Sequence, residues 1–325
     1  MDVLSIDNGV LESPSISNVN LIYLKTFRKD KEISFLFTIY YFIRLVRQYC
    51  YGKYSSIIFV GERSLLFSPF FIFTKSKNIF FNLELYFKED FKLCYLYFLY
   101  KLYIKHVKYV FKSSIIQDRP RARLFSALYK FPINRISFFP NITTYGTNVQ
   151  SNYPSFATEN IVLYSGSLQS KWGSINKFID NLKFKNYILF LNSRLPKVTN
   201  LTDNKSIIFN SNLSLKNYDS LVRQIKIGIA YYDRDYSCNI KYVGLSSGKI
   251  LHYLKYGKPI IINEIPYWSS VISKYNIGIV LSDFNDLDQA IKKILDDYDY
   301  YSDNASLFYS KILSDINFRN ILKLM

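Results

Sequence analysis

The chain has 325 residues, 49 % of them hydrophobic and 21 % charged, a globular balance that excludes a disordered chain. Its 42 Lys and Arg against 25 Asp and Glu give a net charge of +17, of which residues 1–150 hold +11; such a surface suits nucleic acid, anionic lipid or phosphorylated small molecules without choosing among them. With only His106 and His252 a histidine-based metal site is nearly excluded, and Cys50, Cys94 and Cys238, odd in number and in no CxxC pattern, read as reduced thiols of a cytosolic compartment.

The length points to two domains of roughly 150 residues each. The amino terminus, MDVLSIDNGVLE, has no basic stretch followed by an apolar core, so no signal peptide is expected. The richest apolar segments, 33–43 and 91–104, fall short of the ~18 uninterrupted apolar residues of a spanning helix, and no transmembrane helix is expected. In chain order, strands are expected at 18–25, 55–62, 78–86, 113–118 and 135–141, with helices at about 32–49, 90–110 and 120–131 between them. Residues 142–158, polar and rich in turn formers, read as a linker. The alternation then restarts, with strands at 160–168, 186–193, 206–212, 225–233, 259–264 and 277–283 and helices at 174–182, 215–224, 247–256, 268–275 and 286–297. Continuous apolar strands are buried on both faces, which requires parallel sheets covered by helices. The expected fold is α/β: two Rossmann-like doubly wound domains facing a cleft, with ligands at the carboxyl edges of the strands. Residues 1–145 would form the amino-terminal domain, with 300–325 packing back on it, and 146–299 the carboxyl-terminal one.

The stretch SSGKILHYLKYGKPIII, residues 246–262, carries the chemistry. It is not a P-loop, because Gly244 to Gly248 is one residue short and Ile250 stands where a Ser or Thr would hold Mg²⁺. Ser246 or Ser247 can nevertheless cap the helix, Gly248 lets a ligand approach the backbone, and Lys249 projects from the first turn. Free N–H groups, the positive end of the helix and an ammonium together form an anion site. On these local features a plain helix start with a solvated Lys249 is equally open.

The segment GLSSGKILHYLKYGKPIII followed by WSSVISKYNIGIVLSDFNDLDQAIKKIL resembles the carboxyl domain of GT-B glycosyltransferases, in particular the family 4-like retaining enzymes. Tyr253, Leu254, Gly257, Pro259, Ile260, Ile261, Gly278, Ile279, Ala290, Ile291 and Leu295 follow that pattern in order. VLYSGSLQSKWG, 162–173, resembles the first strand and glycine turn of that domain, and ISFFPN, 136–141, the strand and Pro-Asn before the linker. The resemblance implies a nucleotide-sugar donor, a retaining transfer to a glycan or lipid-linked acceptor, and no cofactor or metal. It places the diphosphate against Ser246, Ser247, Gly248 and Lys249, with Gly166, Ser167 and Lys171 on its other side. A pair of glutamates eight residues apart is frequent in these enzymes; here Gly244 and His252 occupy the matching positions. His252 could bond a ribose hydroxyl, and a half-buried histidine on a helix face is as open a reading. The amino end shows no glycine-rich loop.

On the acceptor side the resemblance points to Glu84 and to Asp118 and Arg119 in the DRPRAR turn, where Arg121 and Arg123 follow; solvated arginines or an ion pair with Asp118 are the plain alternative. Glu62 is a weaker candidate of the same kind. Asp233-Arg234-Asp235 is a D-x-D, which holds a divalent metal in the other large glycosyltransferase fold, but it lies too late in the chain and reads as a loop bordering the cleft. Lys101, Lys105, Lys108 and Lys112 recur at i, i+4, i+7 and i+11 among aromatics, a stripe suited to an anionic membrane surface, although a solvated helix face gives the same pattern. The expected setting is cytoplasmic, peripheral on the inner face of the plasma membrane, in bacterial surface polysaccharide assembly. Two other classes stay open: a basic nucleic-acid-binding protein, which lacks any RNP, KH, zinc-finger or helix-turn-helix signature, and another sugar-nucleotide enzyme of epimerase or phosphorylase type.

Overall fold

A computed structural model describes residues 2–7, 20–25, 43–44, 46–47, 54–61, 76–82, 85, 101, 104–142, 160–166, 182–183, 186–192, 206–210, 213–233 and 238–316. Residues 1–57 with 73–77 form one compact unit, and 58–72 with 78–325 the other. In the first unit, β1 (Asp2–Asp7) pairs in parallel with β2 (Asn20–Lys25), from Asp2 opposite Asn20 to Asp7 opposite Lys25. Strand β1 has no counterpart among the expected elements.

A four-stranded sheet runs in the order β3 (Ser56–Val60), β4 (Lys77–Phe81), β5 (Ser113–Ile116), β6 (Ile136–Phe138). The pairs β4–β5 and β5–β6 are parallel. Helix α1 (Arg119–Tyr129) leaves the end of β5 and returns along the sheet. It buries Ala122, Phe125 and Tyr129, with Phe125 stacked on Tyr129 at 4.4 Å between ring centres and 5.9 Å from Phe80 of β4. Its start is fixed chemically: Asp118, in extended backbone, accepts from the Arg121 N–H, and Pro120 stands in the first turn where no donor is needed.

The second sheet has six strands in the order β12 (Gly278–Leu281), β11 (Ile260–Asn263), β10 (Ile227–Ala230), β7 (Ile161–Ser165), β8 (Ile188–Asn192), β9 (Ile207–Asn210). All neighbours are parallel. Alternate residues of its strands point to opposite faces. Ile161, Leu163, Ala230, Ile260 and Ile262 join one apolar cluster with Leu251, Tyr253 and Leu254 of helix α4 (Gly248–Lys255), Trp268 of α5 (Pro266–Tyr275) and Ala305 and Phe308 of α7 (Tyr298–Asp315). Val162, Tyr164, Ile227, Ile229 and Ile261 join another with Leu287, Ala290, Ile291 and Ile294 of α6 (Leu287–Asp296). Each strand is therefore covered twice, as its unbroken apolar sequence requires.

The strand order places a topological switch between β7 and β10: the chain winds outward through β8 and β9, then returns by α2 (Leu215–Gln224) to β10 on the other side of β7. Ligands of doubly wound folds bind outside the carboxyl ends of the strands at such a switch. In this chain the switch lies between the Gly166 turn and the residues after β10, 231–233 and 238–249 among those described.

The strands of both sheets fall on their expected segments, and α1, α2, α4, α5 and α6 agree with theirs to within two residues. The expected helices at 32–49 and 174–182 and the linker at 142–158 lie wholly or mostly outside the described residues. Short helix α3 (Cys238–Lys241) and the long α7 were not expected. Tyr, Ser and Asp dominate α7, yet Tyr301, Ala305, Phe308, Tyr309 and Ile312 are buried at helical spacing. The sequence reading packs 300–325 on the amino-terminal half; of these residues, α7 packs along α4, α5 and α6, and 317–325 lie outside the described residues. The lysine stripe is also interrupted: the helix ends at Val110, and Lys112 sits in the bend before β5 with its N–H donated to the Asn78 carbonyl.

Candidate active site

Helix α4 begins at Ser247, whose hydroxyl accepts from the Ile250 N–H while its carbonyl takes the Leu251 N–H. The N–H groups of Gly248 and Lys249 have no partner among the described residues. A Cβ placed on Gly248 would meet only the Asn141 carbonyl, at 3.9 Å, so the helix start is open on that side. The Tyr232 hydroxyl lies 2.6 Å from Ser247 Oγ. Tyr232 itself is fixed by Asn263 at the end of β11, whose amide accepts the Tyr232 N–H at 2.9 Å and donates to its carbonyl at 2.7 Å.

Lys249 turns back toward the switch point. Its ammonium lies 4.5 Å from the Tyr232 ring centre and 5.3 Å from that of Tyr164 on β7. A Cβ on Gly166 would stand 3.4 Å from Lys249 Nζ and 3.3 Å from the Tyr164 hydroxyl, a tight contact at a backbone φ of 157° that side chains rarely adopt. Lys249 forms no ion pair among the described residues. Burial without a compensating carboxylate among the described residues pushes it down to about 8, and the faces of the Tyr232 and Tyr164 rings stabilise the cation. Burial likewise raises the hydroxyls of Tyr164 and Tyr232 above the usual phenol range. Among the described residues the site thus has an excess of positive potential and no carboxylate paired with Lys249. It can hold an anion on two backbone N–H groups and one ammonium.

The turn leading into α4 is held from the other sheet. Asp118 accepts from Leu245 N–H through Oδ2 at 2.9 Å while capping α1 through Oδ1. The Arg121 guanidinium donates to Ser246 Oγ at 3.2 Å, and Asn141 donates its side-chain amide to the Ser246 carbonyl at 2.7 Å and its backbone N–H to the Leu245 carbonyl at 2.9 Å. Asp118 and Arg121 are both buried. Burial raises Asp118, opposed by the N–H of Arg121, its charge, and the N–H of Leu245. A Cβ on Gly244 would fall 2.6 Å from Asp118 Oδ2, which explains the absence of a side chain at that position.

On the far flank of Lys249, His252 is buried with Nε2 3.1 Å from Asp219 Oδ1 and its ring beside Tyr218 and Tyr256. Asp219 also accepts from Tyr256 at 2.7 Å and Arg223 at 3.2 Å, with Lys255 at 3.9 Å. Burial works against the Asp219 charge, but these bonds and cations hold it below the usual carboxylate range. Its charge is already shared among them, so burial dominates at His252 and pushes the imidazole down to about 4.

Of the expected donor residues, the structure brings Gly166, Ser246, Ser247, Gly248 and Lys249 together, and His252 sits against Asp219 in the next turn. Ser167 and Lys171 lie outside the described residues, as do Glu62, Glu84 and Asp235. Asp118 spends both oxygens on backbone donors, and Arg119 is exposed at the start of α1. Tyr164, Tyr232 and Asn141 were not expected at the site. With aromatics at 18 % of the chain, 30 of them Tyr, no single tyrosine stands out in the sequence, and Asn141 reads there as part of a Pro-Asn turn.

The family model described as glucosyltransferase 3-like, C-terminal domain, matches residues 162–325. The chain belongs to the glucosyltransferase 3-like family. It is a glycosyltransferase, and the matched region contains Gly166 and the whole loop at the start of α4. No curated protein matches the chain in sequence. Among solved structures, it is similar to WaaG, a glycosyltransferase involved in lipopolysaccharide biosynthesis, at 13 % identity over 92 % of this chain and 84 % of that one, TM-score 0.62. Sucrose-phosphate synthase from Thermosynechococcus elongatus superposes with TM-score 0.65 at 14 % identity, over 91 % and 78 % of the two chains. HepE from Anabaena, in complex with UDP and glucose, gives 0.63 at 11 % identity, over 94 % and 86 %. These likenesses fix the fold of this family member as GT-B.

Proposed function

We propose that this glucosyltransferase 3-like enzyme moves a sugar from a nucleotide-sugar donor to a hydroxyl of a glycan or lipid-linked acceptor, with retention of configuration and without a metal. The observation that carries the reading is Lys249: an ammonium at an open helix start, at the switch point of a doubly wound sheet, with no carboxylate partner among the described residues. A diphosphate is the ligand that answers this potential, and hydrogen bonds to a charged group contribute roughly 1.5–3 kcal/mol each. HepE, crystallised with UDP and glucose on the same fold, supports the same ligand class. In this reading Gly166, Ser167 and Lys171 face the diphosphate opposite Ser246–Lys249, His252 lies toward the ribose, and Glu84, Asp118 and Arg119 border the acceptor. Residues 146–299 form the donor domain and 1–145 the acceptor side.

The bond from the anomeric carbon to the diphosphate oxygen breaks, and the acceptor oxygen bonds to that carbon on the same face. The acceptor proton passes to the departing phosphate oxygen, so no protein nucleophile is required. Lys249 and the N–H groups of Gly248 and Lys249 neutralise the charge that develops on the leaving group, the task a metal performs elsewhere. Lys249 keeps that task because nothing else in the described pocket satisfies it.

A cytoplasmic enzyme peripheral to an anionic membrane completes the reading. No described helix is long and apolar enough to cross a membrane. Residues 101–142 hold nine Lys and Arg, and their single acidic residue, Asp118, is buried. Lys101, Lys105 and Lys112 are exposed, Lys108 is half-buried, and Tyr109 stands 66 % exposed among them. Each lysine near anionic headgroups contributes about 1 kcal/mol.

Thermal unfolding with UDP, GDP, CDP and ADP in EDTA, for wild type and Lys249→Ala, tests the donor site. At ligand near 100 times Kd the expected stabilisation is about 2.7 kcal/mol, a shift of a few degrees, with one nucleotide and reduced in the variant. No shift with any of the four would sink the assignment.

A further inference from the structure

We infer that Asp118 and Arg121, on the four-stranded sheet's side, are positioning residues for Lys249: they hold the 244–249 turn in its anion-binding shape from outside the family's matched region. The inference rests on the reading of that turn as the donor site. Among the described residues, three of the preceding half of the chain, Asp118, Arg121 and Asn141, bond to the turn. Asp118 takes the Leu245 N–H, Arg121 holds the Ser246 hydroxyl, and Asn141 holds the carbonyls of both Leu245 and Ser246. Every one of these groups lies within four residues of Lys249. By contrast, Ser247 is the first residue of the turn whose side chain is bonded within its own sheet's side, to Tyr232 and Ile250.

Three features mark the clasp as built for the purpose. Gly244 has no side chain where Asp118 needs the space, the Asp118 oxygens satisfy one donor each in the two halves, and Arg121 is 2 % exposed although its guanidinium is always charged. A cap for α1 alone needs only one carboxylate oxygen and no arginine. The donor turn is therefore set only while the two sheets are docked through this clasp. Movement of the acceptor-side half relative to the turn would release Leu245 and Ser246 together and let Lys249 leave its place between Tyr164 and Tyr232.

The test uses the full chain with UDP as the probe, or whichever of the four nucleoside diphosphates stabilises the wild type. Asp118→Asn, Arg121→Met, Arg121→Lys and Ser246→Ala are compared with Arg123→Ala, an exposed change on the same helix. Two quantities are read: Kd for the nucleotide, and the rate at which an amine-reactive acetylating reagent modifies Lys249 in the free enzyme, followed by peptide mass spectrometry. Asp118→Asn and Arg121→Met should weaken binding tenfold or more and raise Lys249 labelling severalfold; Arg121→Lys should recover part of both, Ser246→Ala should shift both in the same direction, and Arg123→Ala should change neither. Labelling of Lys249 needs no nucleotide, so it reports on the clasp even when the wild type binds none of the probes. Unchanged labelling in folded Arg121→Met and Ser246→Ala would overturn the inference, as would a Kd within twofold of wild type. Should Asp118→Asn fail to fold, the Arg121 and Ser246 variants carry the decision.

Discussion

Raising the pH from 7 to 9 should weaken nucleoside diphosphate binding about tenfold, because the free enzyme releases the Lys249 proton near pH 8 and the diphosphate needs it back. With the free lysine at about 8, the ammonium fraction falls from roughly nine-tenths at pH 7 to roughly one-tenth at pH 9. If the ammonium form carries the affinity, the loss is about 1.4 kcal/mol, and each further pH unit costs about as much again. An ordinary exposed lysine, near 10.4, would give no slope in this range. Titration calorimetry at pH 7, 8 and 9 measures the affinity, and repeating it in two buffers of different ionisation enthalpy counts the protons taken up, expected to approach one at pH 9. Lys249→Met keeps the stem that packs beside Tyr164 and Tyr232 but removes the charge. It should bind roughly 10- to 100-fold more weakly at pH 7, from the ~1.5–3 kcal/mol of a charged hydrogen bond, and show no slope to pH 9. A wild-type affinity that stays flat to pH 9, or a Met variant with the same slope as wild type, would refute the assignment of the anion to Lys249.

Gly244→Ala should cost about 1–3 kcal/mol of stability by denaturant unfolding and weaken nucleotide binding, because its methyl falls 2.6 Å from Asp118 Oδ2; a variant as stable and as tight as wild type would contradict the packing described. Acid should destabilise the fold well before the carboxylates titrate. His252 is held near 4 against 6.5 in an unfolded chain, so the unfolded state takes its proton first, and stability that is full above pH 6.5 is lost as the pH falls toward 4, on the order of 3 kcal/mol by linkage. Urea midpoints that instead rise between pH 6.5 and 5 would mean that Asp219 holds His252 as a cation. The double change Lys105→Glu and Lys108→Glu should reduce cosedimentation with vesicles containing phosphatidylserine by roughly tenfold or more while leaving nucleotide binding intact; equal pelleting would remove the membrane surface from the proposal.

The sheets were legible because their signal is local and strong. IVLYS, IGIA and IIIN are unbroken apolar runs bounded by turn formers, and burial on both faces leaves such runs one architecture. The anion turn was legible for the same reason: Ser247, Gly248 and Lys249 are consecutive, and a helix start concentrates its free donors within one turn. Helix α7 was missed because its apolar residues are thinned by Asp, Ser and Asn, so propensity gave no lead and only packing on α4 decides the element. The sequence leaves His252 open between two roles. What separates them is Asp219, 33 positions earlier on α2, and no periodicity connects the two.

The clasp was illegible for a different reason. Asp118 reads locally as a helix cap and is one; Asn141 reads as the end of a Pro-Asn turn; Gly244 reads as a departure from a family pattern. Each local reading is complete in itself, so nothing in the sequence asks for a second partner. The second partner follows from charge and space: a buried carboxylate with only one N–H would be expensive, and the Leu245 N–H, across a glycine that cannot obstruct it, supplies the other. The same reasoning explains why Lys249 has no ion pair among the described residues although the Asp118 carboxylate touches its turn four residues earlier, at Leu245. Asp118 faces the backbone of that turn and is saturated by it, which keeps the negative charge out of the pocket and leaves the ammonium for the ligand.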